Sequence, residues 1–399
     1  ILAVAGLLAL PFMWSRSLPM SFLLASILVS SAVFGTMLSG LSCVAMASFG
    51  FFLLPALYEK CGWSESLFAD GYRTVGILLG LWILVNPFSP GIDVSYKTWN
   101  ANPFVETHCW IGIVLSSVIC INLCHVMKGK RPIINIAMVV FFLVLIMGAG
   151  SRAGLFSIAP AIGLLAYRQG TRTFLPLAFL TAAILGMSAL VINVKPEISE
   201  NVYHRYIATD TFQNTSFQGR VMSWHNYLDA SLSYPFGLGY ERSIIEFLEG
   251  RESHRDFVVP GAHSEFLKIL VELGWLPFLV FVFINVEALT FCLKPRVGSE
   301  GEAGTLNLTL SMIYIVLLPQ LLVNDGMSKP EVNVLYWFAL GALLRLNQRR
   351  PCLQRYRSSN VLLSTRKTSP YCPEVVAGPT ADTRRLQNSK ADTDDHVMA

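Results

Sequence analysis

Charged side chains are what this sequence has least of. Asp, Glu, Lys and Arg make up 14% of it, against about 25% in an average soluble domain. With 53% hydrophobic residues beside that shortage, a water-soluble globular chain is excluded. Cysteine is missing from the longest polar stretch, 193–263: the eight cysteines stand at 43, 61, 109, 120, 124, 292, 352 and 372. A disulfide framework is excluded there. Metal-ligand spacing is missing from that stretch too, with no H-x-x-x-H and no paired Asp, and His254-Arg255-Asp256 reads as a surface charge cluster. No internal repeat stands out and the apolar runs carry almost no central charge. A secondary transporter, with its repeat symmetry and mid-membrane ionisable groups, is therefore disfavoured. The net charge of +4 belongs to short loops and the C-terminal tail and implies no nucleic-acid partner.

What is present is a series of apolar runs, many close to the ~20 residues that cross a ~30 Å hydrocarbon core as a helix. They are Ile1–Met13, Leu18–Met37, Leu41–Tyr58, Thr74–Phe88, Cys109–Met127, Ile133–Ala149, Ala153–Tyr167, Phe174–Ile192, Ser264–Leu293, Leu306–Val323 and Val332–Leu346. The expected architecture is all-α: a polytopic transmembrane helical bundle of eleven or twelve spans. Its expected parts are N-terminal transmembrane helices over 1–192, a large loop over 193–263, C-terminal transmembrane helices over 264–347 and a tail over 348–399. The tail, rich in Ser, Thr, Asp, Asn and Arg and poor in aromatics, is expected to be disordered. The short first run and the start at Ile1 fit a lost upstream helix better than a cleaved signal peptide.

Orientation follows from loop charge. One set of loops carries Arg16, Lys60, Arg73, Lys128, Lys130, Arg131, Arg168, Arg172, Lys294 and Arg296; the opposite set carries only Lys97, Arg152 and Lys329. The first set is expected in the cytoplasm. Alternation puts the tail, with Arg349, Arg350, Arg355 and Arg357, on the same side. Arg152 then emerges at the outer surface in a tight turn, and the 193–263 stretch lies outside with it. A loop of that length is uncommon unless it folds or functions.

Two motif-like strings carry no chemistry. "CINLCH", Cys120 to His125, has one residue too many for haem attachment and sits near the inner end of a span. "PFGLGY", Pro235 to Tyr240, lacks the strand and helix that frame a dinucleotide loop and reads as a tight turn. Three outer-face groups remain. Arg152 stands in "GSRAG", between two apolar runs, where a cation at the bilayer centre would cost roughly 2.5 kcal/mol or more. Arg220 opens a segment in which Val221, Trp224, Leu228 and Leu232 recur at helical spacing until Pro235, which predicts an amphipathic helix on the membrane surface. His263 stands at the mouth of the run containing Phe266, Leu267, Ile269, Leu270 and Val271. Each has a plain alternative: a snorkelling anchor, an exposed loop charge, an interfacial hydrogen-bonding histidine. Their coincidence on one face favours a functional set. Arg205, Tyr240, Arg242 and Glu265 are candidate neighbours.

These residues resemble the O-antigen ligase and O-antigen polymerase family of bacterial membrane glycosyltransferases. The likeness rests on "GSRAG", on the "GR…W…P.G.G" stretch, and on a His entering an apolar run after a long outer loop. His263-Ser264, nine residues, then Gly274 match the ligase pattern, while Pro277 stands where that pattern usually has Gly, Thr or Tyr. The resemblance spans about residues 135–345. It implies transfer of a glycan from an undecaprenyl-pyrophosphate donor to an acceptor hydroxyl at the periplasmic face of the inner membrane. The acceptor would be lipid A–core for a ligase, or a second lipid-linked repeat unit for a polymerase. Arg152 and Arg220 would bind the pyrophosphate bidentately, and His263 would take or orient the acceptor proton. No metal and no cofactor are implied; membrane lipids are the remaining partners.

Overall fold

The computed structural model describes residues 17–60, 62, 64–85, 108–148, 151–169, 215–241, 264–294, 302–323 and 330–348. Among them there is helix and no strand, the all-α membrane architecture that the apolar runs predict. In chain order the helices are α1 (Leu18–Val33), α2 (Met37–Ser48), α3 (Leu54–Lys60), α4 (Glu65–Val85), α5 (His108–Met127), α6 (Pro132–Gly148), α7 (Arg152–Gln169), α8 (Thr215–Ser233), α9 (Glu265–Leu273), α10 (Trp275–Leu293), α11 (Glu302–Val323) and α12 (Pro330–Gln348). Three described stretches are long and apolar enough to cross a membrane: Met37–Lys60, Trp275–Leu293 and Gly304–Val323. Shorter apolar helices accompany them at Leu18–Val33, Gly112–Met127, Pro132–Ile146, Ala153–Arg168 and Val332–Asn347. The expected runs Ile1–Met13 and Phe174–Ile192 lie outside the described residues, as does the chain from 349 onward.

The run read as Leu41–Tyr58 extends at both ends, because α2 and α3 join through a π-helical turn at Phe49–Leu53. Pro55 explains the wide turn. Its ring would press on the carbonyl four residues back and it has no N–H to donate. Letting the Leu54 N–H reach Phe49 O instead loosens the coil just there.

The side-chain contacts fix which helix ends lie together. Arg168, near the end of α7, donates to Phe291 O near the end of α10 (3.0 Å) and to Asn307 Oδ1 near the start of α11 (3.3 Å). Arg345 of α12 reaches Glu59 of α3 at 3.2 Å. Five residues after Lys60, the fully buried Glu65 carboxylate meets Lys130 Nζ at 2.8 Å and His125 Nε2. Arg73 closes this network. It donates to Asn122 Oδ1 (2.9 Å), Asn135 Oδ1 (2.7 Å) and His125 Nδ1 (2.7 Å), which leaves the ring proton on Nε2, toward Glu65. The "CINLCH" side chains thus go separate ways: Cys120 and Cys124 are buried thiols, and His125 joins an ionic network.

Within the bundle, helices in an apolar solvent are joined by close packing and interhelical hydrogen bonds rather than by hydrophobic exclusion. Asn285 of α10 is the main polar joint. Its Oδ1 accepts from Tyr314 Oη of α11 (2.8 Å) and Tyr336 Oη of α12 (2.6 Å), while its Nδ2 donates to Phe281 O (2.9 Å). All three side chains are buried. Asn285→Leu keeps the branched shape of the side chain and removes the shared acceptor of two phenols. It is expected to cost about 1–3 kcal/mol, read as a lowered unfolding midpoint in detergent.

Candidate functional site

The turn carrying Arg152 is built by small residues. Ser151, 1% exposed, bonds back to α6 through its N–H to Ile146 O (3.2 Å) and caps α7 by accepting from Gly154 N–H at its Oγ (3.3 Å). Such a cap satisfies one of the orphan amides of the first turn. Helix α5 crosses here at backbone distance: a Cβ on Gly154 would stand 2.9 Å from Gly112 Cα, and one on Gly112 2.0 Å from Ser151 Oγ. Ser116 Oγ of α5 donates to Gly154 O at 2.8 Å. The first residue of α7, Arg152, is thereby anchored in its backbone at a helix N-terminus, where the macrodipole favours anions. Its side chain lies outside the described residues.

Helix α8 exists as the apolar spacing predicts, but it starts at Thr215, so Arg220 stands in its second turn. Its buried face differs from the expected one. Ser223, Tyr227, Ala230 and Ser231 are buried, whereas Leu228 and Leu232 are exposed, the latter at 73%. The reason is the partner: Tyr227 and Ala230 pack on Val271 of α9, flanked by Leu238 and Leu267, a fit that favours small residues over bulky ones. Arg220 is half-buried, and its Nη1 donates to Val323 O at 3.4 Å. Val323 ends α11, so the cation sits on the carbonyl end of a helix dipole.

The run read as one span, Ser264–Leu293, is a helical hairpin. Gly274 (φ 88°, ψ 179°) separates α9 from α10, and α9 folds back so that the rings of Phe266 and Phe281 lie 5.0 Å apart. A single straight helix would set those residues roughly 22 Å apart. The crossing helix therefore begins at Trp275, and the start of α9, capped by Ser264 Oγ, lies level with Phe281 rather than at the mouth of a span. The hairpin tip docks on the "PFGLGY" turn. Leu238 and Gly239 N–H donate to Val271 O (2.8 Å) and Glu272 O (3.0 Å), and Trp275 N–H returns a bond to Pro235 O (3.0 Å). Two orphan carbonyls in the last turn of α9 are thus satisfied by another segment. A Cβ on Gly274 would meet Pro235 O and Phe236 C, each at 2.6 Å. Gly274→Ala adds that clash to a backbone conformation that is essentially glycine's. We expect a loss of about 1–3 kcal/mol, seen as a lowered unfolding midpoint, with no relief from Gly274→Ser.

The structure brings two of the expected neighbours together, Tyr240 and Glu265, around a residue that sequence reasoning passed over. Lys268 Nζ stands 3.9 Å from Glu272 Oε1 and 5.9 Å from the centre of the Tyr240 ring, near enough to Glu265, Glu241 and Cys43 for its charge to act on them. Glu265 and Glu272 are buried, at 3% and 7% exposure. Burial disfavours the ammonium, but the surrounding carboxylates of Glu272, Glu265 and Glu241 hold it charged, well above the usual lysine range. Burial also pushes the Glu272 carboxyl up to about 7 despite the Lys268 cation, since the other carboxylates compete for the same charge. The missed signal is spacing: Glu265, Lys268 and Glu272 recur at three and four residues in "EFLKILVEL", one face of a helix. His263, Arg205 and Arg242 lie outside the described residues.

Residues 137–282 match the family model described as O-antigen ligase. The stretch contains Arg152, Arg220 and His263, and the match bears out the resemblance read from the sequence. No curated protein matches the chain.

Proposed function

We propose that this chain is a membrane glycosyltransferase of O-antigen ligase type. It takes a glycan from an undecaprenyl-pyrophosphate donor and joins it to a lipid A–core hydroxyl at the periplasmic face of the inner membrane, without a metal. The observation that carries the reading is the O-antigen ligase match over 137–282, which contains all three groups singled out by charge and position. In the reaction the acceptor hydroxyl attacks the anomeric carbon, the bond from that carbon to the pyrophosphate oxygen breaks, and the acceptor proton passes to His263. Charge grows on the leaving pyrophosphate. Arg152 and Arg220 stabilise it, since guanidinium groups stay protonated and pair with phosphate oxygens in two-pronged geometry; donors of this kind contribute roughly 3–4 kcal/mol each. Support for these roles comes from the buried cap and close helix crossing that anchor the backbone of Arg152 and from the packing of α8 on α9. The second reading, a polymerase that extends lipid-linked repeat units, is kept open by Pro277, which stands where the ligase pattern usually has Gly, Thr or Tyr.

The test is donor turnover in proteoliposomes. Purified protein given a lipid-linked glycan and lipid A–core is expected to release undecaprenyl pyrophosphate together with a glycosylated core, with chelator present. Accumulation of substrate inside the vesicles with no covalent product would instead identify a transporter.

A further inference from the structure

The turn that follows α8 is held by three ties. Its backbone bonds to the end of α9 through Leu238 and Gly239. It bonds to the α1–α2 corner through Tyr240, whose N–H donates to Ser30 Oγ (2.8 Å) and whose carbonyl accepts from Thr36 Oγ1 (2.8 Å). Ser39 Oγ of α2 adds a bond to the Glu241 carboxylate. The third tie is ionic: Glu272 accepts from Glu241 N–H at 3.0 Å and faces Lys268, whose ammonium in turn lies over the Tyr240 ring. Glu241 holds a positive φ of 57°, a conformation non-glycine residues keep only when their surroundings impose it. Trp275, whose N–H bonds the turn at Pro235 O, also donates from its Nε1 to Ser231 O in the last turn of α8 (3.2 Å). Whatever holds 234–241 on α9 therefore also fixes α8, the helix that carries Arg220, against the helix that follows His263.

We propose that Lys268 is a positioning residue, which locks the 234–241 turn onto α9 through Glu272 and Tyr240 and thereby sets where α8 holds Arg220 against α9. The catalytic part of this inference rests on the transfer reaction proposed above; the locking part does not. Lys268 is suited to the task because it is the cation at the centre of an otherwise acidic cluster, Glu241, Glu265 and Glu272, on a half-apolar face. Without it the buried Glu272 carboxyl takes up a proton rather than stay charged near Glu265, and a neutral carboxyl is the weaker acceptor for Glu241 N–H.

The experiment compares the full chain in detergent with Lys268→Met, Lys268→Arg and Glu272→Gln by amide hydrogen exchange and transfer kinetics. Lys268→Met is expected to speed exchange of the Leu238, Gly239 and Glu241 amides about tenfold, while amides in the middle of α10 keep wild-type protection. Transfer should fall about tenfold in kcat with the donor KM unchanged, and Lys268→Arg should restore most of both. Glu272→Gln keeps the shape and the acceptor for Glu241 N–H, so it tests the charge alone even if Lys268→Met folds poorly; it should move both readouts in the same direction. Unchanged exchange in the turn overturns the lock. Faster exchange with wild-type kinetics overturns the positioning role. If the wild-type protein transfers no glycan, the proposed reaction fails, whereas the lock is still decided by the exchange result.

Discussion

Exchanging Arg152 for Lys is expected to slow glycan transfer about a hundredfold while the protein is still made, inserted and folded. The two side chains differ in what they present to a pyrophosphate. Lysine offers a point charge on a flexible stem; arginine offers a planar fork whose parallel N–H groups fit two phosphate oxygens at once. Position sharpens the contrast. The first residue of α7 is anchored by the Ser151 cap and by the crossing of Gly112 on Gly154, so a shorter reach cannot be recovered by a shift of the backbone. A snorkelling anchor would be served equally well by either cation. Wild-type turnover in Arg152→Lys, at equal protein in the membrane, therefore removes Arg152 from the site.

His263→Ala is expected to cost a hundredfold or more, on the order of what a positioned general base contributes. The loss should appear in kcat and leave the donor KM nearly unchanged, because in the proposed reaction the imidazole acts on the acceptor proton while the two arginines hold the donor. Steady-state kinetics with the donor varied at saturating acceptor separates the two parameters. An equal loss in kcat/KM for donor with kcat preserved would make His263 a donor-binding residue instead.

The sequence made the outline of the bundle legible because an apolar helix in lipid announces itself by composition alone. The "GSRAG" turn was legible for a related reason: a permanent cation between two apolar runs has few places to go. The hairpin at Gly274 was not. Residues 264–293 read as one apolar run, and the fold-back depends on Pro235 and Phe236, nearly forty residues earlier, closing over Gly274. Its local hints are Gly274 itself and length, since about 30 residues exceed what a span requires. The buried face of α8 was hidden likewise, because Tyr227 and Ala230 are buried by Val271 of α9, and spacing within α8 cannot reveal the shape of its partner. Lys268 was overlooked as one charge in an apolar stretch; its meaning comes from Tyr240 and Glu241, which arrive from another segment. The network of Glu65 and Arg73 with His125 and Asn135 draws on three helices in the same way. Composition and period were readable, and long-range pairing was not.

The most direct test of the central claim is transfer from one lipid-pyrophosphate glycan donor with lipid A–core and a second lipid-linked repeat unit offered in parallel, in chelator, for wild type, Arg152→Ala and His263→Ala. The account predicts glycosylated lipid A–core from the wild type and little from either variant. Lengthened lipid-linked chains instead would make the protein a polymerase. No product from any donor, or equal product from all three proteins, would contradict the site.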